Sequence, residues 1–232
     1  MLLILHAGAV AAETNLVAPT TVGPVAVRVY PAPGEKPRPT VLILHGRSGL
    51  VPGDEQYASE IAKAGMDAWL FSYYSATDEE AMRNADRSRR VEYFNDRFRD
   101  WAKAIGDIAG FALAQKNSSG RLGLLGLSNG GFLAVGAAAI DQRICAIVVS
   151  YGGIADPTKN EISRLPPLLE IHGDADRVIP IAQGKALVDR AKALGGEAEQ
   201  LVYPGAGHGF DLTNDDARSH AVDFLRRQLK VE

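Results

Sequence analysis

The chain has 232 residues, of which 46% are hydrophobic and 23% charged. These values are typical of a globular protein and exclude a disordered or fibrous one, and the length allows one domain with a large core. A formal net charge of −3 gives no electrostatic reason to expect nucleic acid or an anionic membrane surface as a partner. The single cysteine, Cys145, excludes an internal disulfide.

Residues 1–12 are small and apolar, and two interpretations of them stay open. The Ala-Val-Ala sequence at 9–11 resembles a signal-peptidase site, which would send the mature protein out of the cytoplasm, but no Lys or Arg precedes it. The second interpretation is that residues 1–12 form a first strand. Localisation, cytoplasmic or exported, is therefore left open, and residues 13–232 form the predicted domain. No run of about 18 apolar residues occurs, so we expect no membrane insertion.

Strand-like and helix-like segments alternate along the rest of the chain. Continuous apolar runs predict strands buried on both faces, and apolar residues recurring every three or four positions predict helices. The alternation predicts an α/β fold with a mainly parallel sheet of about eight strands and helices on both faces. The predicted strands are 25–30, 40–44, 66–73, 122–126, 145–151, 168–172 and 199–203, and the predicted helices are 55–64, 91 onward, 130–139, 181–194 and 215–229.

A GxSxG motif follows one of these strands. Gly126, Ser128 and Gly130 lie between strand 122–126 and the small-residue helix 130–139. A serine on a sharp strand-to-helix turn adopts a strained backbone that exposes its hydroxyl, and a Cβ at the flanking positions would collide with neighbouring elements. We therefore predict that Ser128 is a nucleophile. The alternative is an ordinary glycine-rich turn.

A serine hydroxyl is a weak nucleophile until a base removes its proton, so this hypothesis requires a histidine elsewhere in the chain. His208 follows the last predicted strand in a glycine-flanked loop, which allows its imidazole to reach the serine. We predict that it is the general base. The alternative is a surface histidine.

An acid must hold that imidazole in the correct tautomer. Two aspartates, Asp174 and Asp176, lie just beyond strand 168–172. We predict that Asp176 is the acid and that Asp174 braces the turn, although the residues alone allow either.

Attack on a carbonyl group produces an oxyanion, which needs preorganised hydrogen-bond donors. One candidate is the backbone N–H of Asn129, directly after the nucleophile, and the other is the N–H of Arg47, just beyond strand 40–44. The alternative for the second segment is a tight turn that uses Gly46 and Gly49.

Three histidines, His45, His172 and His208, lie at the ends of predicted strands, which makes a metal site an alternative. No HExxH motif or paired Cys/His cluster accompanies them, and no phosphate-binding or dinucleotide-binding glycine motif follows a strand. We expect no metal, no cofactor and a small-molecule ester as substrate.

Four motifs, HGRSG, GLSNGG, HGDADRVIP and GAGHGF, occur in this order between residues 45 and 210. Together they resemble the dienelactone-hydrolase branch of the α/β-hydrolases. The resemblance implies the α/β-hydrolase fold, with Ser128, Asp176 and His208 in the Ser, Asp, His order of that fold. It also implies an oxyanion hole from the N–H groups of Arg47 and Asn129, and a substrate pocket lined by Tyr151. On chemistry alone, Tyr151 could equally be a buried aromatic residue.

The chain departs from that branch in two places. Dienelactone hydrolases proper use a cysteine nucleophile and a glutamate near the end of the central strand, where this chain has Ser128 and the sequence His45-Gly46-Arg47. The chain also lacks an insertion large enough for a cap domain, which favours a small substrate. We predict a serine carboxylic ester hydrolase that forms an acyl-enzyme. The alternatives are a serine peptidase or acyltransferase with the same triad, and a non-catalytic binding module on the same fold; oligomeric state is left open.

Overall fold

The computed structural model describes residues 13–231, and its eight strands pair in one sheet. The strands lie in the order β1-β2-β4-β3-β5-β6-β7-β8. β3 to β8 are parallel, and β2 is antiparallel to its neighbours β1 and β4. Their bounds are β1 Thr14–Ala18, β2 Val25–Tyr30, β3 Arg38–Leu44, β4 Asp67–Phe71, β5 Ser118–Leu127, β6 Ile144–Ser150, β7 Leu168–Gly173 and β8 Ala198–Tyr203. The predicted mainly parallel sheet is confirmed.

Helices cover both faces of the sheet and bury two apolar clusters against it. Their bounds are α1 Pro52–Lys63, α2 Ala76–Asn84, α3 Arg87–Leu113, α4 Asn129–Ile140, α5 Ile181–Ala193 and α6 Asp215–Gln228. α3, α4 and α5 contribute to one cluster, and α1 and α6 contribute to the other. α4 consists mainly of small, apolar residues on nearly all of its sides, which is typical of a helix enclosed by its neighbours. No large cap domain covers the sheet within residues 13–231.

Two elements were not predicted from the sequence, β1 and α2. α2 carries little apolar periodicity, and only Asp78 and Met82 on it are buried. Its start is set by Ser75, whose Oγ accepts a hydrogen bond from the Asp78 N–H at 3.2 Å. The signal peptide or first strand expected over residues 1–12 lies outside the described residues.

The sheet order places a topological switch at its centre. The chain passes from β3 outward to β4 and then returns to form β5 on the other side of β3. In open α/β sheets, ligands bind at the carboxyl ends of strands beside such a switch. The loops after β3, β5, β7 and β8 meet there. Within residues 13–231, no helix combines the length and the apolarity that crossing a membrane requires.

Candidate active site

The turn after β5 carries Ser128 in a strained backbone conformation. Its φ is 54° and its ψ is −113°, values that side-chain-bearing residues rarely adopt. A Cβ on Gly126 would lie 2.3 Å from the Gly130 carbonyl oxygen, and one on Gly130 would lie 2.0 Å from the Leu44 carbonyl oxygen. These approaches are the steric reason for glycine at both positions. The turn raises the Ser128 hydroxyl above the end of the sheet.

Backbone hydrogen bonds hold the strained turn on both sides. The Ser128 N–H donates to the carbonyl oxygen of Ser150 on β6 at 3.0 Å, and the Gly131 N–H donates to the Ser128 carbonyl oxygen at 2.8 Å. The first bond continues the sheet and the second begins α4. The sheet and the helix together therefore fix the position of the Ser128 hydroxyl. Ser128 is largely buried, with 8% of the residue exposed.

The loop after β8 brings His208 to this serine. Its Nε2 lies 3.0 Å from Ser128 Oγ, and its Nδ1 lies 2.7 Å from Asp176 Oδ2. Gly205 and Gly209 adopt positive φ angles of 72° and 78° in the same loop, so the chain can turn sharply on either side of the histidine. The three sequence-predicted side chains therefore form one chain of contacts, from Ser128 through His208 to Asp176.

The two candidate aspartates have different partners. The side chain of Asp176 is fully buried, and its Oδ1 accepts hydrogen bonds from the N–H groups of Val178 at 2.7 Å and Ile179 at 2.9 Å. Asp174 is exposed, and its Oδ1 accepts from the Gly205 N–H at 2.6 Å. The structure thus brings Asp176 to the imidazole and uses Asp174 to tie the β7 and β8 loops together.

These contacts determine which His208 nitrogen can accept a proton. A carboxylate oxygen can only accept, so Nδ1 carries the hydrogen and donates it to Asp176. The lone pair of Nε2 then faces the Ser128 hydroxyl, which can donate to it. The arrangement is chemically able to remove the hydroxyl proton and to stabilise the imidazolium that results.

Two backbone segments, those that carry Asn129 and Arg47, reach the space beside Ser128. Asn129 is the first residue of α4, and its Nδ2 donates to the Tyr74 hydroxyl at 3.3 Å. On the other side, a Cβ on Gly46 would lie 3.5 Å from the Leu127 carbonyl oxygen and 3.6 Å from Ser128 Cβ. The segment that carries Arg47 therefore passes directly beside the serine, with the Arg47 side chain exposed.

A cavity of about 250 Å³ opens over Ser128 and His208. The Tyr151 ring packs against the His208 ring with centroids 4.5 Å apart, and Tyr151 has a positive φ of 42° at the end of β6. Tyr151 therefore lines the cavity. The other lining residues are Gly46, Arg47, Ser48, Gly49, Val51, Asp54, Leu127, Asn129, Val178, Ile179, Gly209 and Leu212.

The other two histidines at strand ends have partners of their own. His45 is buried, stacks on the Tyr73 ring at 4.0 Å, and donates from Nδ1 to the Gly46 carbonyl oxygen at 2.7 Å. Burial lowers the pKa of His45 to about 4, so its ring is neutral. The Nδ1 of His172 lies 2.6 Å from Glu170 Oε1. No group of three or more potential metal ligands occurs within residues 13–231.

Asp211 and Glu170 are among the buried carboxyl groups near the site that were not predicted from the sequence. Asp211 is fully buried and accepts a hydrogen bond from the Tyr57 hydroxyl at 2.8 Å, and burial raises its pKa. Nothing in the local sequence distinguishes Asp211 from a surface aspartate. Glu170 did carry a signal, because a carboxylate inside the apolar run 168–171 requires a buried partner.

The sheet order, the strained serine turn after β5 and the histidine loop after β8 define an α/β-hydrolase fold. The profile of the Dienelactone hydrolase family matches residues 26–229. The chain therefore belongs to the dienelactone hydrolase family.

Individual relatives agree with this assignment. A Methylorubrum extorquens protein provisionally named a carboxymethylenebutenolidase is 28% identical over 201 residues, which is 80% of this chain and 67% of that protein. Esterase LipC of Mycobacterium tuberculosis is 40% identical over 80 residues, 32% of this chain but 20% of the esterase. The crystal structure of a dienelactone hydrolase from Anabaena variabilis superposes with a TM-score of 0.75 at 19% identity, covering 94% of this chain and 98% of that one. At that identity the superposition shows the fold alone.

Proposed function

We propose that the chain is a serine hydrolase that cleaves carboxylic esters through an acyl-enzyme on Ser128. The observation that carries the proposal is the continuous contact from Ser128 Oγ to His208 Nε2 at 3.0 Å and from His208 Nδ1 to Asp176 Oδ2 at 2.7 Å. Membership of a hydrolase family supports the reaction type. The similarity to proteins named as an esterase and a carboxymethylenebutenolidase supports the ester bond as the target.

In the acylation step, Ser128 Oγ attacks the ester carbonyl carbon while His208 Nε2 takes the hydroxyl proton. The carbonyl oxygen becomes an oxyanion and accepts hydrogen bonds from the N–H groups of Arg47 and Asn129. When the tetrahedral intermediate collapses, the alcohol departs with the proton from His208.

In the deacylation step, His208 takes a proton from water, and the resulting hydroxide attacks the acyl carbon. The carboxylic acid leaves, and Ser128 Oγ recovers its proton from His208. Atoms and protons balance over the two steps, and the chemistry consumes no cofactor.

The cavity favours a small substrate. Its volume of about 250 Å³ lies just below the range of about 300 to 1,000 Å³ that is usual for ligand pockets. Val51, Leu127 and Leu212 give its wall apolar surface. We therefore expect short acyl esters such as acetate and butyrate to react faster than esters of long fatty acids.

The test compares p-nitrophenyl acetate with an acetylated peptide p-nitroanilide, using the intact chain and two serine variants. Ser128→Ala is expected to lower ester turnover by about 10⁶, as in triads that act as a unit. Ser219→Ala, which changes an exposed serine on α6, is expected to leave turnover unchanged. Full activity in Ser128→Ala would disprove the assignment of the nucleophile.

The alternatives give distinct results in the same assay. Anilide cleavage far above ester cleavage would indicate a peptidase, and transfer of the acetyl group to an added alcohol in excess of hydrolysis would indicate an acyltransferase. Reaction with neither substrate, by a folded chain, would indicate a binding module.

A further inference from the structure

A second carboxylate and imidazole lie directly behind Asp176. Glu170 and His172 are two residues apart on β7, so their side chains lie on the same face of the sheet. Both side chains are fully buried, and Glu170 Oε1 lies 2.6 Å from His172 Nδ1. The reaction proposed above uses neither of them, so this buried pair needs a separate explanation.

Three elements enclose the carboxyl group of Glu170. Its Oε2 accepts a hydrogen bond at 2.9 Å from the side chain of Gln200 on β8. On α5, a Cβ added to Gly184 would lie 2.2 Å from Oε1. The carboxylate therefore fits only because position 184 is glycine, and both of its oxygens have hydrogen-bond partners. An isolated buried charge would be strongly destabilising, so the contact with His172 is what makes the site tolerable.

The second nitrogen of His172 faces two further acceptors. Nε2 lies 3.0 Å from the Ile179 carbonyl oxygen and 3.5 Å from Asp176 Oδ2. A carbonyl oxygen can only accept, so Nε2 carries a hydrogen; if Nδ1 also carries one and donates it to Glu170, the ring is an imidazolium. Burial opposes this charge, but the Glu170 carboxylate and the Ile179 carbonyl outweigh burial and raise the pKa of His172.

We propose that Glu170 and His172 are positioning residues that hold Asp176 for its work on His208, an inference that rests on the proposed function. The His172 bond to the Ile179 carbonyl fixes the loop whose N–H groups hold Asp176 Oδ1. Its positive ring lies beside Oδ2, the oxygen that accepts from His208. The pair thereby holds Asp176 in the orientation in which it contacts His208.

The order of the two charges in the pair also matters for His208. The positive partner, His172, contacts Asp176, whereas the negative partner, Glu170, contacts the far side of the His172 ring. The nearer positive charge disfavours a second positive charge on His208. The charge of the pair therefore reaches the triad, so removing it should change the pH profile of the reaction.

The isosteric variant Glu170→Gln removes the negative charge that holds His172 protonated. We expect kcat on p-nitrophenyl acetate to fall about tenfold with KM little changed, since the ester does not touch the pair. We also expect the acidic limb of the kcat/KM profile to move up by about half a pH unit. The matched control is Asp189→Asn, which removes an exposed carboxylate on α5 that pairs with Lys185. This variant should change neither kcat nor the acidic limb of the profile.

NMR of ¹⁵N-labelled histidine in the wild-type chain tests the pair without relying on activity. His172, assigned with the variant His172→Gln, should show two protonated ring nitrogens at neutral pH. A neutral His172 ring would overturn the proposal, as would an unchanged acidic limb in folded Glu170→Gln. Failure of the proposed function itself is recognised separately, because Ser128→Ala would then retain activity.

Discussion

Gly130, in the first turn of its helix, lies so close to Leu44 that a Cβ on the glycine would lie 2.0 Å from the leucine carbonyl oxygen. Leu44 is the last residue of β3, and Gly130 is the second residue of α4. The close approach presses the start of the helix against the centre of the sheet. It also explains how the turn between β5 and α4 can hold Ser128 at a φ of 54°, because neighbouring backbone on both sides leaves it little freedom.

Gly130→Ala should therefore disrupt both the fold and the site. The added methyl group meets backbone rather than a flexible side chain, so we expect a loss of about 2 kcal/mol or more in the free energy of unfolding, measured with urea, and a large loss of ester hydrolysis. Gly106→Ala in α3 is the control, because its methyl group would lie an ordinary 3.7 Å from Asp141 Oδ2. A Gly130→Ala chain with wild-type stability and activity would contradict this account.

The two aspartates after β7 should respond very differently to the same substitution. Asp176→Asn can present an N–H group to His208 Nδ1 and so favour the wrong tautomer; we expect kcat to fall by about 10⁴. Asp174→Asn keeps an oxygen that can accept from the Gly205 N–H, so its effect should be mild. Steady-state kinetics on p-nitrophenyl acetate decide between them, and the reverse order of effects would assign the acid to Asp174.

The oxyanion hole can be tested at Arg47 without changing any other backbone donor. Arg47→Pro removes the N–H, and we expect kcat to fall by about 10² to 10³. Arg47→Ala keeps the N–H and removes an exposed side chain, so kcat should stay near the wild-type value. Circular dichroism checks that both variants fold. Equal losses in two folded variants would show that the side chain, and not the N–H, matters.

Asp54 should make stability depend on pH. It is buried in the first turn of α1, and burial raises its pKa to about 6, although its bond to the Val51 N–H favours the charged form. In the unfolded chain the group ionises near pH 4, so between about pH 4 and pH 6 the unfolded state binds fewer protons than the folded state. The Asp54 contribution to stability therefore falls as pH rises through this window, by an amount on the order of 3 kcal/mol, and is constant above it.

Asp54→Asn removes this dependence while keeping an oxygen for the Val51 N–H. Urea denaturation at about pH 4 and about pH 7.5 should show the variant gaining stability relative to wild type at the higher pH. Asp223→Asn, an exposed change on α6, should show the same difference from wild type at both pH values. If the stability difference between Asp54→Asn and wild type is also the same at both pH values, Asp54 does not hold its proton in the folded chain.

The strands of the central sheet could be predicted because they are buried on both faces and therefore read as continuous apolar runs. The strand predicted at 168–172 became β7, Leu168–Gly173, and the helix predicted at 215–229 became α6, Asp215–Gln228. β1 and α2 carry no such signal. β1 is an edge strand with mostly exposed side chains, and the start of α2 depends on one capping serine.

The candidate site could be predicted only where chemistry constrains the chain locally. Ser128 needs glycines around it, and His208 needs a flexible loop, so both left a pattern in the sequence. The choice of Asp176 over Asp174 depends on where two loops meet in space. The buried pair of Glu170 and His172 depends on Gly184 and Gln200, which lie on other elements and cannot be matched to it from the sequence.

The most direct test is to label the folded chain with a fluorophosphonate and to locate the label by mass spectrometry of the peptides. We expect one phosphonylated residue, Ser128, and loss of labelling in the variants Asp176→Asn and His208→Gln. A label on a different serine, or none on a folded chain that still hydrolyses p-nitrophenyl acetate, would contradict it.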